Sequence, residues 1–392
     1  MLSVSEAVKQ LVASAKPATA VESLPVLDSL GRILAADICA AIDVPPADNS
    51  AMDGYAFCYA DAAANQFKLP LSQRIAAGTA PQPLAANTVA RIFTGAEIPP
   101  GADTVAMQEN CTEKNGIVDV DAALKARGNV RPRGQDIQAG QIILTAGSKI
   151  RAQEMGLLSS IGIAVVEVFK PLRVAIFSTG DELVEPGIPL KPGQIYNSNR
   201  ATLIGLIRSL GMVPVDLGTV ADSSEATDAV LNRAAEMGDI IISAGGVSVG
   251  EEDYVKDAVA NAGALNFWKV AIKPGKPLAF GQVNNKPFVG LPGNPASVFV
   301  TFMILARPFL LASQGLAEIA PSFLKAQAQF AKSGEGREVY LRARLQDGTV
   351  EIYPNQSSGV LASACWGDVF VRQAKGQSIE VGDLVDVLPY GL

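Results

Sequence analysis

The sequence predicts an α/β protein of several domains, and three features predict it. The chain has 392 residues, too many for one ordinary core, so roughly two to four domains are expected. Between residues 172 and 310 short strand-like apolar runs alternate with helical periods, the pattern of a parallel sheet with right-handed crossovers. From about residue 320 the apolar period becomes two, which marks a separate small β-barrel or sandwich.

The elements follow in order. Residues 1–44 read as helical, with apolar positions at Val8, Leu11 and Val12 and then Leu27, Leu30 and Leu34. Pro45-Pro46 breaks that pattern. From there to about residue 140, Gly, Pro and short runs such as Val89 to Phe93 predict a mainly β insertion. Ala152 to Ile161 is helical again, and Ala164 to Phe169 strand-like. Strands are expected at Leu172–Phe177, Met212–Leu217 and Asp239–Ser243, with helices at Asn199–Leu210, Ser224–Met237 and Tyr254–Ala262. In the tail, Glu338 to Leu345 alternates and turns at Asp347-Gly348 into Thr349–Tyr353, a strong hairpin signal. A last strand is expected at Val381–Val387.

Composition narrows the chemistry. With 48% hydrophobic and 18% charged residues and a net charge of −7, the chain reads as a soluble acidic protein. No dense Lys/Arg block is present, so neither nucleic acid nor a membrane is an expected partner. The four cysteines are scattered without a Cys-x-x-Cys pair, which argues for reduced thiols over zinc or disulfides. Histidine is absent, which excludes Ser-His and Cys-His nucleophiles and imidazole acid–base work. The first residues carry no basic and apolar leader, and the longest apolar stretch, Val298 to Ala306, falls short of the roughly 20 residues of a membrane span. A cytoplasmic location is expected.

The chemistry must come from carboxylates, lysines, hydroxyls and backbone dipoles, and several loops supply them. Ser178-Thr-Gly-Asp-Glu182 ends a buried strand; it is either an ordinary βα turn capped by Asp181 or a strand-end site. Gly245, Gly246 and Gly250, with Ser248 between them, form a loop that lets backbone N–H groups approach an anion. The carboxylates behind it, up to Asp253, suggest Mg²⁺ bridging to phosphate. The loop is neither a Walker sequence nor Gly-x-Gly-x-x-Gly. Lys269, Lys273 and Lys276 cluster after a strand-like run, as oxyanion contacts or as a solvated turn. Asn294 with Pro295 opens a long apolar helix whose N-terminus suits an anion or simply a cap. Asp48–Gly54 and Arg91–Glu97 have the polar tips of turns, and Arg131–Asp136 fits either a phosphate clamp or a surface ion pair.

Taken together and in order, these segments resemble the molybdopterin molybdenumtransferase family, which includes bacterial MoeA and the E domain of gephyrin. The residues that carry the resemblance are Asn49-Ser-Ala-Met-Asp-Gly-Tyr-Ala56, Ile92-Phe-Thr-Gly-Ala-Glu-Ile-Pro99, Arg133-Gly-Gln-Asp-Ile137, Ser178-Thr-Gly-Asp-Glu-Leu183, Gly245 to Gly250 with Asp253-Tyr-Val-Lys256, Lys273-Pro-Gly-Lys-Pro277 and Leu291-Pro-Gly-Asn-Pro-Ala-Ser297. The resemblance implies a helical domain (1–44 with 140–169), a β-rich inserted domain (45–139), a molybdopterin-binding α/β domain (170–317) and a C-terminal β domain (318–392). It implies a homodimer whose cleft is shared between two chains. Asp53, Thr94 and Asp136 would lie on one side. Glu182, Asp222, Asp253, Lys269, Lys273, Pro292 and Pro295 would lie on the other, with Ser363 from the tail.

The implied reaction inserts molybdate into adenylylated molybdopterin with Mg²⁺-dependent release of AMP. Catalytic roles are expected for Asp53, Thr94, Glu182 and Asp136, metal ligation for Asp253 and Glu182, and substrate contacts from Gly245, Gly246, Ser248, Gly250 and Asn294. The upstream adenylyltransferase and acceptor molybdoenzymes or their chaperones are the expected partners. Two rivals stay open at this point: a stand-alone adenylyltransferase, and a scaffold that clusters receptors. Tungstate in place of molybdate is a further alternative.

Overall fold

The computed structural model describes residues 1–17, 20–246 and 254–391. At its centre is a six-stranded sheet in the order Val213–Val220, Arg173–Thr179, Ile240–Ala244, Lys286–Leu291, Pro277–Val283, Gly263–Lys269. The first four strands are parallel. Their connections carry the helices Ser198–Ser209, Ser224–Met237 and Tyr254–Ala262. The sheet is not wholly parallel as the alternation suggested: Pro277–Val283 runs against both its neighbours. It joins the next strand through Asn284-Asn285, both with positive φ. So tight a turn permits only an antiparallel hairpin.

Covering helices on both faces explain the continuous apolar strands. Val174, Ile176, Ile240 and Ile242 pack to one side with Leu203 and Ile207. Ala175, Phe177 and Ile241 alternate to the other, against Leu231 and Val255. The first side also receives a helix of 19 residues, Pro295–Ser313, in which a π turn at Phe302–Ala306 joins two α segments. Val298 to Ala306 is therefore only the middle of a longer element, one apolar and long enough to cross a bilayer by composition. Of its most apolar 18-residue window, 83% is buried inside the protein, the burial of a core helix.

The reading of 1–44 as helical holds only for Val4–Ser14, which opens with a Ser3–Glu6 capping box. Its stripe of Val4, Ala7 and Leu11 joins the core around Phe309 and Leu310, so it packs on the α/β domain rather than in a separate helical unit. Beyond it the chain is mostly β. Val21–Pro25 pairs with Val165–Phe169, and Ile38–Cys39 with Ile142–Leu144. Leu27 and Leu30, counted as one helical face, are exposed; Val26, Leu34, Leu158 and Val168 form the local core.

The β-rich insertion leaves and returns through the bridge between Val44 and Ile137. It holds a six-stranded sheet, centred on Gly54–Phe57, Val89–Ile92 and Lys68–Ile75. The C-terminal strands Glu338–Gln346, Thr349–Ile352, Leu324–Ala328, Leu384–Pro389 and Val369–Gln373 close on themselves as a barrel. The tail strand starts at Leu384 rather than Val381, which is exposed. Although Glu338–Gln346 alternates in sequence, its middle is buried on both faces. Val339, Leu341 and Ala343 fill the barrel, while Tyr340 turns outward to the α/β core beside Phe370. Phe299 of the long helix stacks edge-on to Tyr390, 5.0 Å between centroids, so aromatic packing fixes the barrel to the α/β domain.

Candidate active site

The carboxyl ends of the four parallel strands run into one cleft of about 770 Å³, where open α/β sheets bind ligands. Thr179 leads to Gly180 and Glu182, Val220 to Asp222, Ala244 to Gly245-Gly246, and Leu291 to Pro292–Pro295; all reach the cleft wall. The Asp181 carboxylate does not cap a helix; it accepts the backbone N–H of Asp222 at 3.1 Å, linking two strand ends. The Asn199 amide donates to the Gly293 carbonyl at 2.7 Å, linking a third. Asn197 caps the helix Ser198–Ser209 by accepting the Arg200 N–H and donates to Thr219 Oγ1 at 2.9 Å.

The glycines are required by contact and by backbone. Gly246 has a φ of +66°, and a Cβ there would stand 2.3 Å from Val255 Cγ2 and 2.8 Å from Thr179 Oγ1. Gly245, with a φ of +95°, would bring a Cβ to 2.8 Å from the Thr179 carbonyl oxygen. These close approaches leave Thr179 Oγ1 buried and without a hydrogen-bond partner among the described residues; Asn199 Oδ1, on the same cleft, is likewise unpaired. Buried polar atoms of this kind favour a polar ligand. Ser248, Gly250 and Asp253, expected to continue the loop, lie outside the described residues.

The opposite wall comes from Lys273 to Pro277 and from the barrel, which contributes Arg337 and Gln356 to Ser358. The Ser358 carbonyl accepts the Ala296 N–H at 2.9 Å. One of the first donors of the long helix therefore holds the barrel loop, and Pro295 has none to offer. The Asn294 side chain makes no capping hydrogen bond; it lines the cleft instead. Lys273 is not an isolated ammonium: it donates to Glu335 at 2.5 Å, and Lys332 approaches the same carboxylate at 3.2 Å. Those two lysines, Lys273 first, hold Glu335 below the usual glutamate range.

Among the described residues, five expected site residues do not line this cleft: Asp53, Thr94, Asp136, Lys269 and Ser363. Lys269 is exposed at the end of an edge strand. Ser363 is fully buried, accepting from Arg342 Nε at 2.9 Å and donating to the Val360 carbonyl. Its hydroxyl is occupied inward, and Ser357 and Ser358 take the wall position expected of it. Asp53 accepts both the N–H and the hydroxyl of Thr94, at 2.7 and 2.8 Å, and these bonds, the backbone one first, hold its carboxyl below the usual range. Asp136 is exposed just after Val130–Arg131, which pairs with Asn49–Ser50, so the three acidic and hydroxyl groups sit on neighbouring loops of the insertion. Arg133 forms an ion pair with Asp43.

Comparison with known proteins decides the family. The chain is 35% identical to a molybdopterin molybdenumtransferase of Haemophilus influenzae over 100% of its own length and 99% of the relative's. The chain belongs to the molybdopterin molybdenumtransferase family. A family relative from Nostoc is 40% identical over 88% of this chain and 85% of its own. Residues 2–162 match the MoeA N-terminal region (domains I and II), 175–312 a probable molybdopterin binding domain, and 325–390 the MoeA C-terminal region (domain IV). Among solved structures, a MoeA protein of molybdopterin biosynthesis from Pyrococcus horikoshii superposes with a TM-score of 0.83 at 31% identity, covering 99% of each chain.

Beside the family motifs, the cleft uses groups that the sequence reading did not single out: Asn197, Asn199, Arg337 and Gln356 to Ser358. Thr179 lies within the strand-end motif already noted and Asn199 opens an expected helix, so position at a strand end or helix start was a usable signal. Arg337 carried none, because only barrel closure brings it to the α/β domain. No group of three or more carboxylate or thiol ligands occurs among the described residues. Glu182 and Asp222 both reach the cleft, a donor set that suits Mg²⁺, which takes one or two carboxylates and completes its shell with substrate oxygens and water.

Proposed function

We propose that this enzyme of molybdenum cofactor biosynthesis inserts molybdate into adenylylated molybdopterin and releases AMP. One observation carries the reading: four strand ends and the Lys273–Pro277 loop converge on one cleft with unpaired Thr179 and Asn199 oxygens. The Gly245 N–H is donated to the Leu291 carbonyl at 3.1 Å, which anchors the glycine turn so that the Gly246 backbone would face the substrate phosphates. Lys273, Lys276 and Arg337 supply positive charge for phosphate and for the molybdate oxyanion. Their contribution is positioning and charge stabilisation, which needs no histidine. Held by Glu182 on the cleft wall and by Asp253, as the resemblance implies, with Asp222 as a further carboxylate within the cleft, Mg²⁺ would neutralise phosphate charge. Ser248 and Gly250 would extend the donor loop, and Pro292, Asn294 and Pro295 would shape the oxyanion side, with Asp222 beside them. Lys269, in register with Pro277 of the cleft wall, would approach that side from outside the cleft.

The cleft is shared between two chains in this reading. Asp53, Thr94 and Asp136 are exposed on the insertion and absent from the wall of the chain's own cleft, so a second copy would receive them. The assembly is a homodimer, and its substrates and partners are those named from the resemblance, in the cytoplasm. The test is to incubate the purified protein with adenylylated molybdopterin, Mg²⁺ and molybdate and to follow AMP. Molybdate-dependent AMP release is expected. AMP loading from ATP instead, or release indifferent to molybdate, would overturn the reading.

A further inference from the structure

A second cavity, of about 600 Å³, opens away from the cleft where Gly31, Lys149 and Arg151 of the N-terminal segments meet Ser209, Arg307 and Glu318. Arg307 is the unusual member. It is only 8% exposed and begins the last segment of the long core helix. Its backbone N–H donates to the Phe302 carbonyl, but no hydrogen bond or ion pair engages its guanidinium among the described residues. The other deeply buried arginine, Arg342, donates to Ser363 Oγ and to the Ser357 carbonyl, as buried guanidinium groups normally must.

The cavity's own carboxylates do not compensate Arg307. Glu154 is held by Arg151 at 2.6 and 3.0 Å, and Glu318 is exposed. Burial alone draws the Arg307 guanidinium downward from its ordinary value, with no carboxylate opposing it. Lys149, exposed at the rim, adds a further positive charge. The Arg307 nitrogens are not sealed in the core but open onto the cavity, so this wall presents an unpaired guanidinium to an anion that the chain does not itself provide.

We propose that this cavity is an anion site, in which Arg307 grips a phosphate or carboxylate group of a small molecule through its planar fork while Lys149 contributes at the rim. The size fits: cavities of this volume enclose small metabolites, and the guanidinium matches two oxygens of either group. The site is separate from the molybdate cleft, sharing no lining residue with it.

The experiment titrates inorganic phosphate, and in a parallel arm succinate, into the wild type, Arg307→Met and Lys273→Met by calorimetry. A binding event kept in Lys273→Met and weakened roughly tenfold to hundredfold in Arg307→Met is expected; the arm showing it tells which group is preferred. Phosphate or succinate should raise the melting temperature of the wild type and not of Arg307→Met. AMP release without added anion should be unchanged in Arg307→Met, which separates this site from the proposed reaction. Identical isotherms for wild type and Arg307→Met in both arms would overturn the proposal. So would dissociation of Arg307→Met into monomers with unchanged anion affinity, because a second copy would then be the guanidinium's partner. If Arg307→Met does not fold, Arg307→Lys, which keeps charge but loses the fork, should bind with intermediate affinity, and wild-type affinity there would equally refute the site.

Discussion

Arg342 Nε donates to the hydroxyl of Ser363 at 2.9 Å, inside the protein and without a carboxylate beside it. A second guanidinium nitrogen reaches the Ser357 carbonyl at 3.0 Å. The arginine thus braces, from behind, the loop that carries Gln356 to Ser358 to the cleft. Replacing Arg342 by Met should leave those acceptors unsatisfied, at a cost of about 1–3 kcal/mol, and should lower AMP release more than it lowers stability. Ser363→Ala should have the smaller effect on both. Thermal unfolding and turnover of the two variants check the order.

Asp53→Ala should abolish AMP release while barely moving the melting temperature, since the Asp53–Thr94 pair is exposed. In the shared-cleft reading, mixing it with inactive Lys273→Met should restore activity. Random exchange of subunits leaves about a quarter of all clefts intact. No recovery after subunit exchange would place both residues in one chain's cleft. The depressed Asp53 carboxyl should stay ionised down to below the usual aspartate range, so the acid limb of the activity profile should not move in Thr94→Ser, which keeps both hydrogen bonds.

Glu335, held low chiefly by Lys273, has a folded pKa below its unfolded value of about 4.3. Its contribution is therefore complete at neutral pH and is lost as pH falls through the folded value. Glu335→Gln should melt lower than wild type at pH 7. The gap should persist to near pH 4 and close only below it, as a series of melting curves would record.

Gly246→Ala forces an L side chain to a φ of +66°, worth about 1–2 kcal/mol by itself, and drives its methyl into Val255. The variant should lose stability by at least that much and lose substrate binding with it. Gly78→Ala is a control: its φ is +79° but nothing lies near its Cβ, so it should show the backbone cost without the loss of binding.

The sequence showed the α/β core well because that core is built from local periods. Ser224–Met237 and Tyr254–Ala262 form as read, and the turn at Asp347-Gly348 adopts positive φ at both residues. What escaped depends on distant partners. Ile38–Cys39 is a strand only because Ile142–Leu144 returns beside it, and Leu27 and Leu30 mimic a helical face while lying in solvent. Tyr340 and Arg342 alternate like surface positions, yet docking on the α/β core buries the first and the loop of Ser357 and Ser363 buries the second. At the site, the glycines and prolines announced themselves by type, whereas Arg337 and Ser357 are common surface residues until the barrel brings them to the cleft.

The hydrogen bond from Ala296 to the Ser358 carbonyl makes the barrel a working wall rather than an appendage. A chain ending after Ser313 would present the same four strand termini as an open shelf, with Phe299 stripped of its aromatic cover and bulk water free to compete at every donor. A free-standing domain of this kind would be left with a landing place for a phosphorylated ligand, while enclosing a metal oxyanion beside it would require the tail.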